Sequence, residues 1–153
     1  MTIRKILVPT DFSAHSRVAQ TWAAELARRY EASITLAHVY QPISYALPEG
    51  YVLPSASLLA DLEVNLGRAL DDAQKQLASS TDVPVDTALM QGVPFAEIVR
   101  FAREGSYDLI VLSTHGRTGI KHALLGSVAE KVVRKAPCPV LTVRPPGHEF
   151  ERP

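Results

Sequence analysis

Short apolar runs alternate with longer amphipathic stretches along the whole chain. Each apolar run is flanked by turn-forming residues. The runs are Ile3–Val8, Ser33–Val39, Val85–Met90, Asp108–Leu112 and Val140–Val143. Strands that alternate with helices form parallel sheets through right-handed crossovers. The pattern therefore predicts an α/β fold: a doubly wound, five-stranded parallel sheet with four helices. The alternating apolar and polar residues of the third run favour an edge strand.

The amphipathic stretches predict the four helices and the residues that each one buries. The first is capped near Ser13 and the third ends at Gly105. The predicted buried faces are Ala19, Trp22, Ala23, Leu26, Ala27 and Tyr30; Leu58, Leu62, Leu66, Ala69, Leu70, Ala73 and Leu77; Phe95, Ile98, Val99 and Ala102; and Leu125, Val128, Ala129, Val132, Val133 and Ala136. Residues 41–57 lack periodicity and are predicted to form a long mobile loop.

Length and charge limit the classes of protein to consider. A chain of 153 residues fits one domain, predicted over residues 1–146 with a short tail at 147–153. Sixteen basic and sixteen acidic residues cancel, so no overall field favours nucleic acid or an anionic membrane. No apolar run is long enough to span a bilayer. Because Cys138 is the single cysteine, a reducing compartment is favoured and the cytoplasm is predicted.

The loop from Ser113 to Ser127 is the strongest candidate for a binding site. It joins a predicted buried strand to a predicted helix start and contains Gly116, Gly119 and Gly126. Glycine allows a ligand to approach the backbone, and a helix start presents unpaired N–H groups with a partial positive charge. His115, Arg117 and Lys121 could add side-chain donors. The loop therefore predicts an anion site, with phosphate as the preferred anion.

A second loop, Pro9 to Ser13, follows the first strand. In a doubly wound sheet, ligands bind at the carboxyl ends of the strands where the winding direction reverses. If the first and fourth strands are neighbours, both loops face one crevice. The Asp11 carboxylate could then accept hydrogen bonds from the hydroxyls of a ribose, or it could only favour the following helix through its charge.

Other interpretations of these residues stay open or are weak. Ser127 and Glu130 have the spacing of a capping box, which would explain the serine without a ligand. The chain contains neither G-x-x-x-x-G-K-[ST] nor G-x-G-x-x-G after the first strand. Ser127, His115 and Asp11 are the residue types of a hydrolytic triad, but there is no nucleophile elbow. The five histidines are scattered without a metal-binding spacing.

Several segments together resemble the universal stress protein family, in its nucleotide-binding branch. They cover most of the chain and are K-I-L-V-P-T-D-F-S at 5–13, A-H-V at 37–39, D-L-I-V-L-S-T-H-G at 108–116, L-L-G-S-V-A-E-K-V-V-R at 124–134 and P-C-P-V-L-T-V at 137–143. ATP-binding members carry glycine, two residues, glycine, nine residues, and then glycine with serine or threonine. Gly116, Gly126 and Ser127 fit that motif, whereas Ser113 stands at its first glycine.

The resemblance implies a site for an adenine nucleotide: ATP first, with AMP or ADP as alternatives and Mg2+ accompanying ATP. The residues implied at that site are Pro9, Thr10, Asp11, Val39, Ser113, His115, Gly116, Arg117, Gly126, Ser127 and Val128. The resemblance also implies the strand order 3-2-1-4-5 and homodimers formed through Val140–Val143.

The function implied is that of a nucleotide-dependent switch or regulator in a stress response. Two alternatives remain at this point. One is a slow ATPase or phosphotransferase that uses Asp11 and the loop cations. The other is a protein-interaction module that does not depend on nucleotide.

Overall fold

A computed structural model describes residues 2–42, 45–47, 50–52, 55–114 and 126–144. Its strands are β1 (Lys5–Pro9), β2 (Ser33–Tyr40), β3 (Tyr45–Leu47), β4 (Gly50–Val52), β5 (Val85–Gln91), β6 (Leu109–Ser113) and β7 (Val140–Val143). Its helices are α1 (Ala14–Tyr30), α2 (Ala56–Ala78), α3 (Pro94–Glu104) and α4 (Ser127–Lys135). Leu125, predicted in the last helix, and the predicted tail lie outside the described residues.

Five of these strands form one parallel sheet in the order β5-β2-β1-β6-β7. Counted without the short strands β3 and β4, this is the predicted order 3-2-1-4-5, which is confirmed. The third predicted strand, now β5, lies at an edge, as its alternating pattern indicated. The bounds of the last strand agree with the prediction, and those of the other four differ by one or two residues. Pro9 closes β1 instead of following it.

The helices cover both faces of the sheet, because each crossover is long enough to carry one. α1 and α2 pack with Ile6 and Val8 of β1 in one apolar core. α3 and α4 pack with Leu7 in the other. Successive residues of a strand point to opposite faces, so a short run of apolar residues can serve both cores.

Within the described ranges, no helix has both the length and the apolar character needed to cross a membrane.

The long-loop prediction for residues 41–57 is wrong in part. β3 and β4 pair there as an antiparallel hairpin, with Tyr45 opposite Val52 and Leu47 opposite Gly50, and α2 already begins at Ala56. Each strand has three residues, which is too short for a periodic signal. Antiparallel strands that are close in sequence need only a short connection, so they can pair as a hairpin in a segment that lacks the periodic pattern of a helix.

Some predicted helix faces are also wrong. Trp22 and Tyr30 of α1 are 54% and 47% exposed, and Leu58 of α2 is 58% exposed. α1 buries Ala19, Ala23 and Ala27, as predicted, and in addition Ala24, Ser16 and Gln20. Small side chains let the helix axis approach the sheet closely, so the large residues are displaced to the flank. The same correction applies to Leu62 of α2 and to Val128 and Val133 of α4, which are exposed.

Candidate functional site

The central strands β1 and β6 separate at their carboxyl ends. β1 pairs with β2 along its whole length, from Lys5 to Pro9. Its described pairing with β6 involves Ile6 and Leu7, whereas β6 continues beside β7 as far as Ser113. Residues after Leu7 therefore turn away from β6. This is the point where the winding direction reverses, and a crevice opens there.

A cavity of about 250 Å3 occupies this crevice. The described residues that line it are Pro9, Thr10, Asp11, Ser16, Ala37, His38, Val39, Pro94, Ile98, Leu112, Ser113, Thr114, Gly126, Ser127, Val128 and Ala129. Pro9, Thr10, Asp11, Val39, Ser113, Gly126, Ser127 and Val128 were predicted from sequence. His115, Gly116 and Arg117 lie outside the described residues.

One wall of the cavity is the turn between β1 and α1. The Asp11 carboxylate accepts hydrogen bonds from the backbone N–H and the hydroxyl of Ser13, at 3.1 and 2.6 Å. Ser13 in turn caps α1, as predicted, by accepting the Ser16 N–H. Phe12, between them, has the left-handed φ of 64°. The side-chain hydrogen bonds stabilise this uncommon backbone conformation, so the carboxylate has a defined place at the cavity.

Below this turn, Thr10 is a centre of buried hydrogen bonds. Its N–H donates to the Ala37 carbonyl at 2.8 Å, which extends the β1–β2 pairing by one residue. Its carbonyl oxygen lies 2.7 Å from His38 Nδ1, so that nitrogen carries the proton and donates. The His38 ring also lies against the Phe12 ring, with centroids 4.4 Å apart. These contacts fix the floor of the cavity.

The wall opposite Asp11 is the N-terminus of α4. Gly126 is the N-cap residue, and Ser127 is the first helical residue. The capping-box interpretation of Ser127 and Glu130 is therefore wrong, since the cap position belongs to a glycine, which has no side chain to donate or accept. The first N–H groups of a helix have no partner within it and carry partial positive charge. This wall is suited to an anion.

The remaining wall is apolar. Ala37 and Val39 of β2 contribute to it, as do Pro94 and Ile98 of α3. Pro94 and Ile98 were not predicted at the site from the sequence. The signal was available, because a helix that follows a parallel strand begins at the carboxyl edge of the sheet, where ligands bind. His38, Ser16 and Thr114 were missed as well. The partners of His38 and Thr114 are 28 and 29 residues away in sequence, whereas Ser16 bonds Thr10 across the turn between β1 and α1.

Just beyond Val39, Tyr40 connects the end of β2 to α2. Its hydroxyl donates a hydrogen bond to the Glu63 carboxylate. That hydrogen bond, followed by burial, raises the pKa of Tyr40 to about 12, so the phenol stays protonated at any physiological pH. The interaction fixes α2 beside the strand that carries the apolar wall.

The three walls together suit a ligand with three chemically different parts. An apolar ring system fits between β2 and α3, hydroxyl groups can donate to Asp11, and an anionic group fits against α4. Among the described residues, no group of three or more histidine, cysteine, aspartate or glutamate side chains could hold a metal ion.

Comparisons with known proteins agree on one family. The universal stress protein family matches residues 2–144. A universal stress protein of Methanocaldococcus jannaschii is 38% identical over 148 residues, which are 95% of this chain and 85% of that protein. The structure of universal stress protein UspA from Lactobacillus plantarum has a TM-score of 0.79 and 28% identity, covering 94% of this chain and 99% of that one.

A further similar structure was solved with a ligand. It is the crystal structure of a universal stress protein in complex with cAMP, with a TM-score of 0.67 and 25% identity. The match covers 94% of this chain and 98% of that one.

Proposed function

This chain belongs to the universal stress protein family, and we propose that it binds an adenine nucleotide, ATP first, as a stress-response switch or regulator. The observation that carries the proposal is the cavity between β1 and β6. It combines an apolar wall, the Asp11 carboxylate and the N-terminus of α4. These three features match the base, the sugar and the phosphates of a nucleotide.

In the proposed complex, adenine lies against Val39 and Ile98, and the ribose hydroxyls donate to Asp11. A flat ring fills an apolar slot well, and a carboxylate is a strong acceptor for a diol. The phosphates lie against Ser113, Gly126 and Ser127, where the N–H groups of α4 stabilise negative charge. Pro9, Thr10 and Val128 complete the walls.

His115, Gly116 and Arg117 belong to the proposed phosphate side. A glycine would let the backbone approach the phosphates, and the arginine would offer a planar set of donors to them. Mg2+ would accompany ATP, held mainly by phosphate oxygens and water, as this ion prefers. The relative solved with cAMP supports an adenine nucleotide as the class of ligand.

We also propose a homodimer formed through β7, in the cytoplasm. β7 is the last strand of the sheet, and Val140, Leu141 and Thr142 are partly exposed. An edge strand presents N–H and C=O groups that a second copy can pair with. Sedimentation of the wild type should give a dimer. Thr142→Pro, which removes a backbone donor that the parallel register turns away from β6 and toward the free edge, should shift it toward monomer.

The experiment for nucleotide binding begins with mass spectrometry of the ligand released from freshly purified protein. Calorimetric titration of the ligand-free protein with ATP, ADP, AMP and GTP then ranks the nucleotides. We expect adenine nucleotides to bind more tightly than GTP, and Asp11→Ala to weaken them. Absence of binding by any adenine nucleotide at millimolar concentration would refute the proposed function.

A further inference from the structure

The buried amide of Gln20 has no explanation in core packing. Gln20 is 7% exposed, on a face of α1 otherwise made of alanine and Ser16. An apolar residue of the same length would pack there without the need for a polar partner. A buried polar side chain must be hydrogen-bonded to be tolerated. Its hydrogen bonds therefore indicate what Gln20 does.

The amide belongs to a chain of hydrogen bonds whose directions can be assigned. Gln20 Nε2 donates to Thr10 Oγ1 at 3.2 Å, and the Phe12 N–H donates to the same oxygen at 3.1 Å. A hydroxyl accepts two hydrogen bonds and donates one. The Thr10 hydroxyl must therefore donate to its third neighbour, Ser16 Oγ, at 3.1 Å. This direction agrees with Ser16, whose own proton goes to the Ser13 carbonyl at 2.9 Å.

This chain of hydrogen bonds ends at the cavity. Ser13, whose carbonyl receives the Ser16 proton, donates its own hydroxyl to Asp11 at 2.6 Å. A continuous series of contacts thus connects the Gln20 amide, through Thr10, Ser16 and Ser13, to the Asp11 carboxylate. The Thr10 hydroxyl has no remaining capacity for a ligand. Its role at the site is to hold the turn.

We propose that Gln20 and Ser16 are positioning residues that hold the Asp11 carboxylate in place, and so determine the preference of the cavity for a ribose over a 2′-deoxyribose. The inference rests on the proposed function, since it assigns Asp11 to the sugar. It adds that the discrimination depends on a buried amide on α1 that contacts no part of the ligand.

The test compares Gln20→Met with Gln74→Met. Gln74 likewise donates one hydrogen bond from its side-chain amide, in this case to the Val85 carbonyl at 2.8 Å. It lies on α2 and is not among the residues lining the cavity. Both substitutions remove one side-chain donor and keep the side-chain length. Ser16→Ala breaks the same chain one step further on and provides a second variant if Gln20→Met does not fold. For each protein, affinities for ATP and 2′-dATP are measured by calorimetry.

We expect the wild type and Gln74→Met to bind ATP roughly tenfold or more tightly than 2′-dATP. This is the affinity difference that one hydrogen bond to a charged group produces. In Gln20→Met and Ser16→Ala that ratio should fall toward one. A variant that keeps the wild-type ratio, or a wild type that binds both nucleotides equally, would overturn the inference and leave adenine-nucleotide binding standing.

A second readout separates this inference from the proposed function. In ligand-free protein, the Phe12 and Ser16 amide protons should exchange with solvent faster in Gln20→Met than in Gln74→Met, because the turn has lost its support. If the wild type binds no nucleotide, the proposed function fails and the sugar preference with it. Unchanged exchange at these two amides would refute the positioning role by itself.

Discussion

The backbone N–H of Gly126 donates to the carbonyl oxygen of Thr114 across 2.6 Å. This hydrogen bond joins the end of β6 to the start of α4, so the two ends of the glycine-containing segment meet at the cavity. Thr114 also donates its N–H to the Val143 carbonyl at 3.0 Å. The proposed phosphate side of the site is therefore connected through one residue to β7, the edge proposed for dimer formation.

Replacement of Gly126 should impair binding more than folding. Gly126 has φ −64° and ψ 149°, a conformation that β-branched residues adopt readily. In Gly126→Val, the added side chain would enter the space proposed for the phosphates, and we expect affinity for ATP to fall at least about tenfold. Calorimetry measures this change, and circular dichroism should show an unaltered helix content. Retention of wild-type affinity would mean that the phosphates bind elsewhere.

The hydroxyl of Thr10 should contribute strongly to stability. Thr10→Val keeps the shape of the side chain but leaves the Gln20 amide and the Phe12 N–H without their acceptor. Because a buried donor that loses its partner costs about 1–3 kcal/mol, we expect a loss of about 2–4 kcal/mol in the free energy of unfolding. Thr10→Ser, which keeps the oxygen, should lose less. Urea denaturation measures both, and equal losses would contradict the hydrogen-bond argument.

The periodic features of the sequence predicted the sheet and the carboxyl-end crevice, because alternation of strands and helices has few topological solutions. Features that depend on three-dimensional neighbours were missed. Ser127 and Glu130 have the same spacing whether the serine caps α4 or begins it, and only the structure assigns the cap to Gly126. Trp22 resembles a core residue by spacing, yet α1 approaches the sheet through alanines.

Gln20 is the clearest example of a residue whose role depends on a neighbour in three dimensions. It is ten residues from its partner Thr10, and no sequence spacing relates a helix amide to a threonine at the end of the preceding strand. Helical spacing places Gln20 on the face of Ala23, Ala24 and Ala27, but it does not identify the partner of the amide.

Substitution by alanine should destabilise the fold at Gly92 and stabilise it at Gly67. Gly92 has φ 147°, and a Cβ added there would lie 2.8 Å from Glu97 Cγ. Gly92→Ala should therefore lower the free energy of unfolding by about 1–3 kcal/mol. Gly67 lies within α2, where an added Cβ would have no atom within 4 Å. Gly67→Ala should raise the free energy of unfolding by up to about 1 kcal/mol, because alanine favours the helix more than glycine does. Thermal unfolding of the two variants tests both signs.

Asp108 should make stability depend on pH under acid conditions. Its Oδ2 accepts the backbone N–H groups of Arg4 and Lys5 at 2.8 and 3.0 Å, and these hydrogen bonds lower the pKa of Asp108. A carboxylate with a pKa that is lower in the folded than in the unfolded chain stabilises the fold above its unfolded pKa, about 3.9. That contribution is lost as the pH falls from the unfolded toward the folded pKa.

Asp108→Asn removes this titration and provides the comparison. The variant should be less stable than the wild type at pH 7, because a neutral amide oxygen is a weaker acceptor than a carboxylate. The difference should narrow as the pH falls below about 4, where the carboxyl becomes protonated in the unfolded wild type before it does so in the folded protein. Urea denaturation midpoints measured from pH 7 to about pH 2 follow this convergence. A difference that stays constant over this range would show that the charge of Asp108 does not contribute to the stability of the fold.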